Sequence, residues 1–197
     1  LFTEQLTFDK TFGRHHVNVI SVYEQQEQDV RLEQMSGQQS SNQIRTLLNA
    51  SNIAALTRRE GKYLMSILGR VNYDFAGKYL FSAAVRRDGL SVWAPGRKWA
   101  TFPSASVGWR IDQESFMRSM PSISEFKVRA GYGITGLDGL VLGNYPWLVA
   151  VDANNAVYPF NNSNAGSVVT YGSSINRLGN PELEWEKTKQ LNIGLDL

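Results

Sequence analysis

Cysteine is absent from this 197-residue chain, and histidine occurs twice, at His15 and His16. The first absence excludes a disulfide framework and thiolate metal sites. The second leaves no third ligand beside a pair whose rings project to opposite faces of an extended chain. No apolar run approaches the ~20 residues that a transmembrane helix needs. That excludes helical spans alone, because a membrane β-strand signals only as about ten residues of alternating hydrophobicity. Net charge is +2, and the pairs Arg58-Arg59 and Arg86-Arg87 are too small to form a nucleic-acid footprint. A secretory leader is not visible. No nucleophile elbow or Ser/His/Asp order appears, and the acidic run Glu182, Glu184, Glu186 reads as a polar strand end rather than a catalytic set. The sequence therefore predicts no enzyme, no cofactor and no metal. Gly131-Tyr-Gly133-Ile-Thr-Gly136 fits a dinucleotide fingerprint in spelling, yet no helix follows it, as such a site requires.

What is present is alternation. Tyr63, Met65, Ile67, Gly69, Val71 and Tyr73 share one face of an extended segment. Lys62, Ser66, Arg70 and Asn72 share the other, joined by Leu64 and Leu68. The same pattern recurs, with Phe81, Ala83 and Val85 opposite Ser82, Ala84, Arg86 and Asp88. Ala105, Val107, Trp109 and Ile111 oppose Ser104, Ser106, Gly108 and Arg110. Phe126, Val128, Ala130, Tyr132 and Ile134 oppose Lys127, Arg129, Gly131 and Gly133, and Leu191, Ile193, Leu195 and Leu197 oppose Gln190, Asn192, Gly194 and Asp196. Seven strands are expected, over residues 2–10, 16–24, 62–74, 78–88, 101–112, 125–134 and 183–197. Most exceed the ~5–6 residues usual in globular sheets and match the ~9–11 that cross a bilayer at a tilt. Strand two is ambiguous, since Val17 and Val19 oppose Ile20 and Val22.

The connections alternate in length. Residues 11–15 and 75–77 are short and 113–124 compact, with a helical turn over 114–120. Residues 25–61 and 136–182 are long and polar, and 89–100 is intermediate. Outer-membrane barrels have this plan, with tight periplasmic turns and long extracellular loops. Aromatics gather near both ends: Phe8, Phe12, Tyr73, Phe75, Tyr79, Trp109 and Phe126 by the short turns, and Tyr23, Tyr63, Trp93, Trp99, Phe102 and Trp185 by the long loops. This is the distribution of two interfacial girdles. Basic residues fall mostly on the polar face, as the cost of lipid-exposed charge demands. Arg70, Arg86, Arg110, Lys127 and Arg129 are accordingly the lumen-facing candidates. Trp93, Tyr145, Trp147 and Tyr158 are the extracellular-loop aromatics able to stack on a ligand, to pack the loops or to meet a partner. By alternation, strands one and seven run in the same direction, whereas single-chain bacterial barrels have even strand numbers. The expectation is an all-β, antiparallel up-and-down transmembrane sheet of about seven strands within a larger barrel. A passive porin or adhesin barrel and a soluble β-sandwich binding module are the alternatives.

Four strings carry a family resemblance. They are Gly77-Lys-Tyr-Leu-Phe-Ser-Ala-Ala-Val-Arg-Arg-Asp-Gly89, Trp99-Ala-Thr-Phe-Pro-Ser-Ala-Ser-Val-Gly-Trp-Arg110, Phe126-Lys-Val-Arg-Ala-Gly-Tyr-Gly-Ile-Thr-Gly136, and Asn180-Pro-Glu-Leu-Glu-Trp-Glu-Lys-Thr with Gln190-Leu-Asn-Ile-Gly-Leu-Asp196. Together they resemble SusC/RagA-type TonB-dependent outer-membrane transporters of Bacteroidetes, over all but residues 28–59 and 137–177. The resemblance implies a 22-stranded plugged barrel in the outer membrane, of which residues 1–197 are one part of the barrel domain, with plug and signal peptide outside this segment. It further implies a SusD-like surface lipoprotein as partner, coupling to the TonB complex through parts outside this segment, outer-membrane lipid around the wall, and a glycan or peptide cargo.

Overall fold

In the computed structural model, the described residues are 1–41, 43, 46–47, 50–119, 124–137, 144–159 and 169–197; the side chains of 118–119, 153–159 and 169–171 lie outside the description. Nine strands are assigned among them: β1 Phe2–Phe12, β2 His15–Gln38, β3 Ser51–Phe75, β4 Tyr79–Leu90, β5 Trp99–Arg110, β6 Lys127–Leu137, β7 Ala150–Pro159, β8 Val169–Arg177 and β9 Glu186–Asp196. Seven form one antiparallel sheet in the order β1-β2-β3-β4-β5-β6-β9, and β7 with β8 makes a separate hairpin. The expected seven-strand meander is therefore present, with β1 and β9 as its edges.

Turn chemistry explains the tight end. Phe12 pairs with His15 across Gly13, whose φ of 61° is easily reached without a Cβ. Gly77, at φ 70°, closes the β3–β4 turn, and its N–H donates to Asp74 Oδ1 at 2.6 Å. Two short 3-10 turns, Ile111–Gln113 and Ser115–Ser119, occupy the expected helical region between β5 and β6. Ile111 is buried there rather than facing outward with Trp109, because its N–H turns in to the Phe126 carbonyl at 2.7 Å.

Residues 25–61 are not the long polar loop that composition suggests. β2 and β3 continue past their neighbours as a paired ribbon, from Gln26↔Leu64 to Gln38↔Ser51. Thirteen residues of β2 stand beyond the last β1 pair at Phe2↔Gln25, which is about 40 Å of strand at ~3.3 Å per residue. Both faces of this ribbon carry polar residues, so the period-two signal that marks a half-buried strand is missing. The long segment before β9 likewise contains the β7–β8 hairpin.

Register places every wall side chain on one of two faces. One outer row reads Phe8, Val19, Val71, Ala83, Ala105, Tyr132, Leu191 across seven strands. Val17 and Val19 thus share the apolar face, and Ile20 and Val22 the inner one, which settles strand two. The apolar face is bare in the chain alone: Leu191 is 69% and Ile193 77% exposed, and Val71, Phe81, Val85 and Val107 are also open.

Candidate functional site: the inner wall and its rim

The inner face is built from rows of small and polar residues. The central row runs Asp9, Asn18, Asn72, Ser82, Ser106, Gly131, Asn192 without an apolar member. Four of its residues form a transverse chain. Asn18 Nδ2 donates to Asp9 Oδ2 at 2.8 Å, Asn72 Nδ2 to Asn18 Oδ1 at 3.2 Å, and Ser82 Oγ to Asn72 Oδ1 at 2.8 Å. His16 joins through Nε2 at 3.1 Å from Asp9 Oδ1. His15 points the other way, with Nδ1 2.7 Å from the Tyr73 hydroxyl. Individual positions here were legible by parity; that they align into one bonded row depends on register, which no local pattern supplies.

This row borders a recess of about 530 Å³ lined by Asn72, Ser82, Ser106, Lys127, Arg129 and Asn192, among others. Its floor stays open because glycine recurs there. A Cβ on Gly131 would lie 3.4 Å from that of Ser106, and one on Gly194 would strike the Arg129 side chain at 2.7 Å.

All five predicted lumen cations lie on this face. Arg86 Nε bonds both Asp88 oxygens, at 2.8 and 2.9 Å, and its Nη2 donates to Ser66 Oγ at 3.0 Å. Arg110 pairs with Asp112 at 3.2 Å. Lys127 and Arg129 converge on Asp196 at 3.9 and 3.4 Å. Arg70 is exposed and has no ion pair or hydrogen bond among the described residues. The wall itself thus neutralises four of the five and leaves one guanidinium facing the concave side.

The rim aromatics divide into two groups. At the tight end, Phe12, His15, Phe75, Tyr79 and Trp109 occupy one outer row. His15, Phe75, Tyr79 and Trp109 contact in sequence, with centroids 4.8, 6.2 and 6.5 Å apart. Glu114, in the β5–β6 turn, anchors this row. It accepts from Lys78 Nζ at 2.9 Å, the Tyr79 hydroxyl at 2.7 Å and the Trp109 indole at 3.3 Å. The Lys78 bond foremost, then those of Tyr79 and Trp109, hold its carboxyl below the usual range.

At the opposite end, Trp99 and Tyr63 face outward, but Trp93, Phe102 and Trp185 do not belong to a lipid-facing girdle. They are buried with Leu90, Val92 and Ala100 in the main apolar cluster of the described residues, and Trp93 is only 2% exposed. Phe102 falls on the inner face by register, and the β4–β5 loop folds Trp93 over it. Trp185 Nε1 donates to Lys98 O and Trp147 Nε1 to Val92 O, each at 3.1 Å. Arg97 binds Glu182 and lies 3.6 Å from Glu184. Of the loop aromatics, Trp93 packs inside the loop, Trp147 is half-buried against it and Tyr145 is exposed. Tyr158 lies in β7, and its side chain is outside the described residues. Among the described residues, no three His, Asp or Glu gather as a metal site, and no helix is long and apolar enough to cross a membrane.

The two aromatic levels bracket a band. Ten residue steps separate Phe75 from Met65 on the outer face of β3. At ~3.4 Å per residue and a tilt near 40°, they span about 25 Å, the height of the apolar belt of a membrane barrel. Immediately above, the outer face becomes charged: the Tyr63 hydroxyl donates to Glu27 at 2.6 Å, and Arg59 grips Asp29 through two nitrogens.

Residues 2–197 match the family described as TonB dependent receptor-like, beta-barrel. TonB-dependent receptor P3 of Formosa agariphila is 32% identical over 98% of this chain and 19% of its own length. TonB-dependent receptor SusC of Bacteroides thetaiotaomicron is 37% identical over 68% of this chain and 13% of its own length. The solved structure of the RagAB peptide transporter superimposes with a TM-score of 0.76 at 25% identity, covering 98% of this chain and 20% of that one. The chain thus spans about a fifth or less of the length of these relatives.

Proposed function

The chain belongs to the family of TonB-dependent receptor-like β-barrels, and from that premise we propose that it forms part of the wall of an outer-membrane importer of oligosaccharides or peptides. In this reading the wall is a scaffold and conduit and performs no covalent chemistry. The observation that carries it is the two-faced sheet. An apolar band of membrane height lies on one face, bounded by Phe75 and Trp109 below and by the Glu27–Tyr63 and Asp29–Arg59 contacts above. A bonded polar row crosses the other. Arg70 supplies an unneutralised cation on the enclosed face, suited to a carboxylate on a plug or on a passing peptide.

A SusD-like surface lipoprotein is the partner proposed for the rim, where Tyr145 and the β2–β3 ribbon stand clear of the wall. Energy enters through the TonB complex. The kinship to SusC and the likeness to a peptide transporter support an importer over a passive pore.

Purification of the full-length protein from outer membranes tests the reading. Co-purification of a lipoprotein, with mass spectrometry of the retained ligand, identifies partner and cargo together. Uptake that continues after dissipation of the proton-motive force refutes energised import, and extraction without detergent refutes the membrane wall.

A further inference from the structure

Arg87 breaks the rule that governs the other basic residues of the wall. By register it lies on the outer face, paired with Ile67 and Thr101, one row beneath Gly89 and Trp99. Its neighbour Arg86 faces inward and takes Asp88, which the period of two places beyond the reach of Arg87. Arg87 is exposed and has no carboxylate partner among the described residues; its guanidinium carbon sits 5.3 Å from the Trp99 ring centroid. Eight residue steps above the Phe75 row on β3, this places the head just under the upper edge of the apolar band. A lone arginine at that depth extends toward the interface, where it needs an anion.

A receptacle adjoins it. Tyr63, Met65, Gly89, Trp99 and Lys98 line a recess of about 200 Å³ at the upper edge of the band. Gly89 is required beneath Trp99, since a Cβ there would lie 2.7 Å from the indole. The indole therefore lies flat across the strand, with Arg87 against it. Below, Ile67 and Val85 offer exposed apolar surface on the same face.

We propose that Arg87 and Trp99 form a binding site for a phosphorylated lipid of the outward-facing leaflet, with the phosphate held by Arg87 and an acyl chain laid along Ile67 and Val85. The proposal rests on the membrane reading given above. Charge complementarity selects the occupant: an outward cation without a carboxylate partner and a flat aromatic at interface depth suit an anionic headgroup bearing hydrocarbon, and apolar surface below the cation has no use for a free anion.

The test uses the detergent-purified full-length protein, diphosphorylated lipid A and its dephosphorylated form, and native mass spectrometry. The wild type should retain the phosphorylated lipid at least about tenfold better, the discrimination expected of one charge-assisted hydrogen bond. Arg87→Gln should bring that ratio near one, and Arg87→Lys should preserve most of it. Arg70→Gln, which removes equal charge from the opposite face, should leave it unchanged. The site is refuted if Arg87→Gln keeps the wild-type ratio, if Arg70→Gln lowers it equally, or if millimolar inorganic phosphate displaces the lipid. Failure of the membrane reading is distinct: the protein would then leave cell envelopes without detergent.

Discussion

Ala105 and Ser106 are one step apart on β5 and stand on opposite faces of the sheet. Ala105 pairs with Ala83 and Tyr132 in the outer row midway between the Phe75 and Met65 levels. Ser106 pairs with Ser82 and Gly131 and lines the 530 Å³ recess. An arginine at position 105 would stand near mid-membrane, roughly 12 Å from either interface and beyond easy reach of water. The expected cost of Ala105→Arg is ~2–4 kcal/mol. Ser106→Arg enters a polar recess with room for the side chain, and should stay within about 0.5 kcal/mol of the wild type, as surface changes do. Reversible urea unfolding of the full-length protein into phospholipid vesicles measures both. Nearly equal costs for the two variants, or a cost below 1 kcal/mol for Ala105→Arg, would sink the face assignment for the whole sheet, because register ties all seven strands to it.

Other expectations concern the two ends of the wall. Trp185→Ala empties the centre of the rim cluster and should lower local stability by about 3–5 kcal/mol, read as rapid proteolysis after Arg97 or Lys98 while the β3–β4 ladder keeps its exchange protection. Glu114 is held below the usual carboxylate range by donors present only in the folded turn. Its contribution is therefore complete above the unfolded carboxylate value and lost as pH falls through the lower folded one. Trp109 emission should follow that acid transition, and Glu114→Gln should abolish the dependence. Removing the Arg59–Asp29 contact with Arg59→Ala should leave the melting of the wall unchanged, because an exposed pair contributes little; a clear drop in melting temperature would mean that the ribbon is packed against something more.

Much of this architecture was legible along the chain because a membrane sheet writes its faces into every second residue. Phe81, Ala83 and Val85 alternate with Ser82, Ala84 and Arg86, and each stands on the expected face. What escaped has a common cause. The ribbon over Gln26–Gln38 and Ser51–Tyr63 lies beyond the apolar band, so neither face needs to be apolar and the alternation vanishes. Trp93 and Trp185 are aromatics near loops, as interfacial residues are, but the Trp185 indole donates to the Lys98 carbonyl and the Trp93 ring is buried in the same apolar cluster, and only tertiary folding of two distant loops reveals this. Arg87 shares the outward parity of Val85, and it is passed over when the basic residues are read as a group that favours the polar face; its pairing with Ile67 and Thr101 fixes it outward.

The distribution of buried residues assigns separate tasks to wall and rim. Among the described residues, seven of the nine buried hydrophobics lie at or above the Gly89–Trp99 pair or within the rim cluster: Leu90, Val92, Trp93, Ala94, Ala100, Phe102 and Trp185. The other two, Ile111 and Met117, belong to the β5–β6 turn. Between those levels the strands bury no apolar side chain, so their order rests on the backbone ladder, and Val71, Phe81, Val107 and Leu191 stand open on the outer face. An inner face relieved of core packing tolerates polar exchange at Ser104, Ser106 or Asn192, because no packed neighbour there has to repack in response. The rim has no such freedom: changing Trp93 disturbs Trp185, Val92 and through it Trp147 together. The inner wall is therefore free to drift in sequence, whereas the rim is held by a true core, and substitutions that reshape it must travel in compensating pairs.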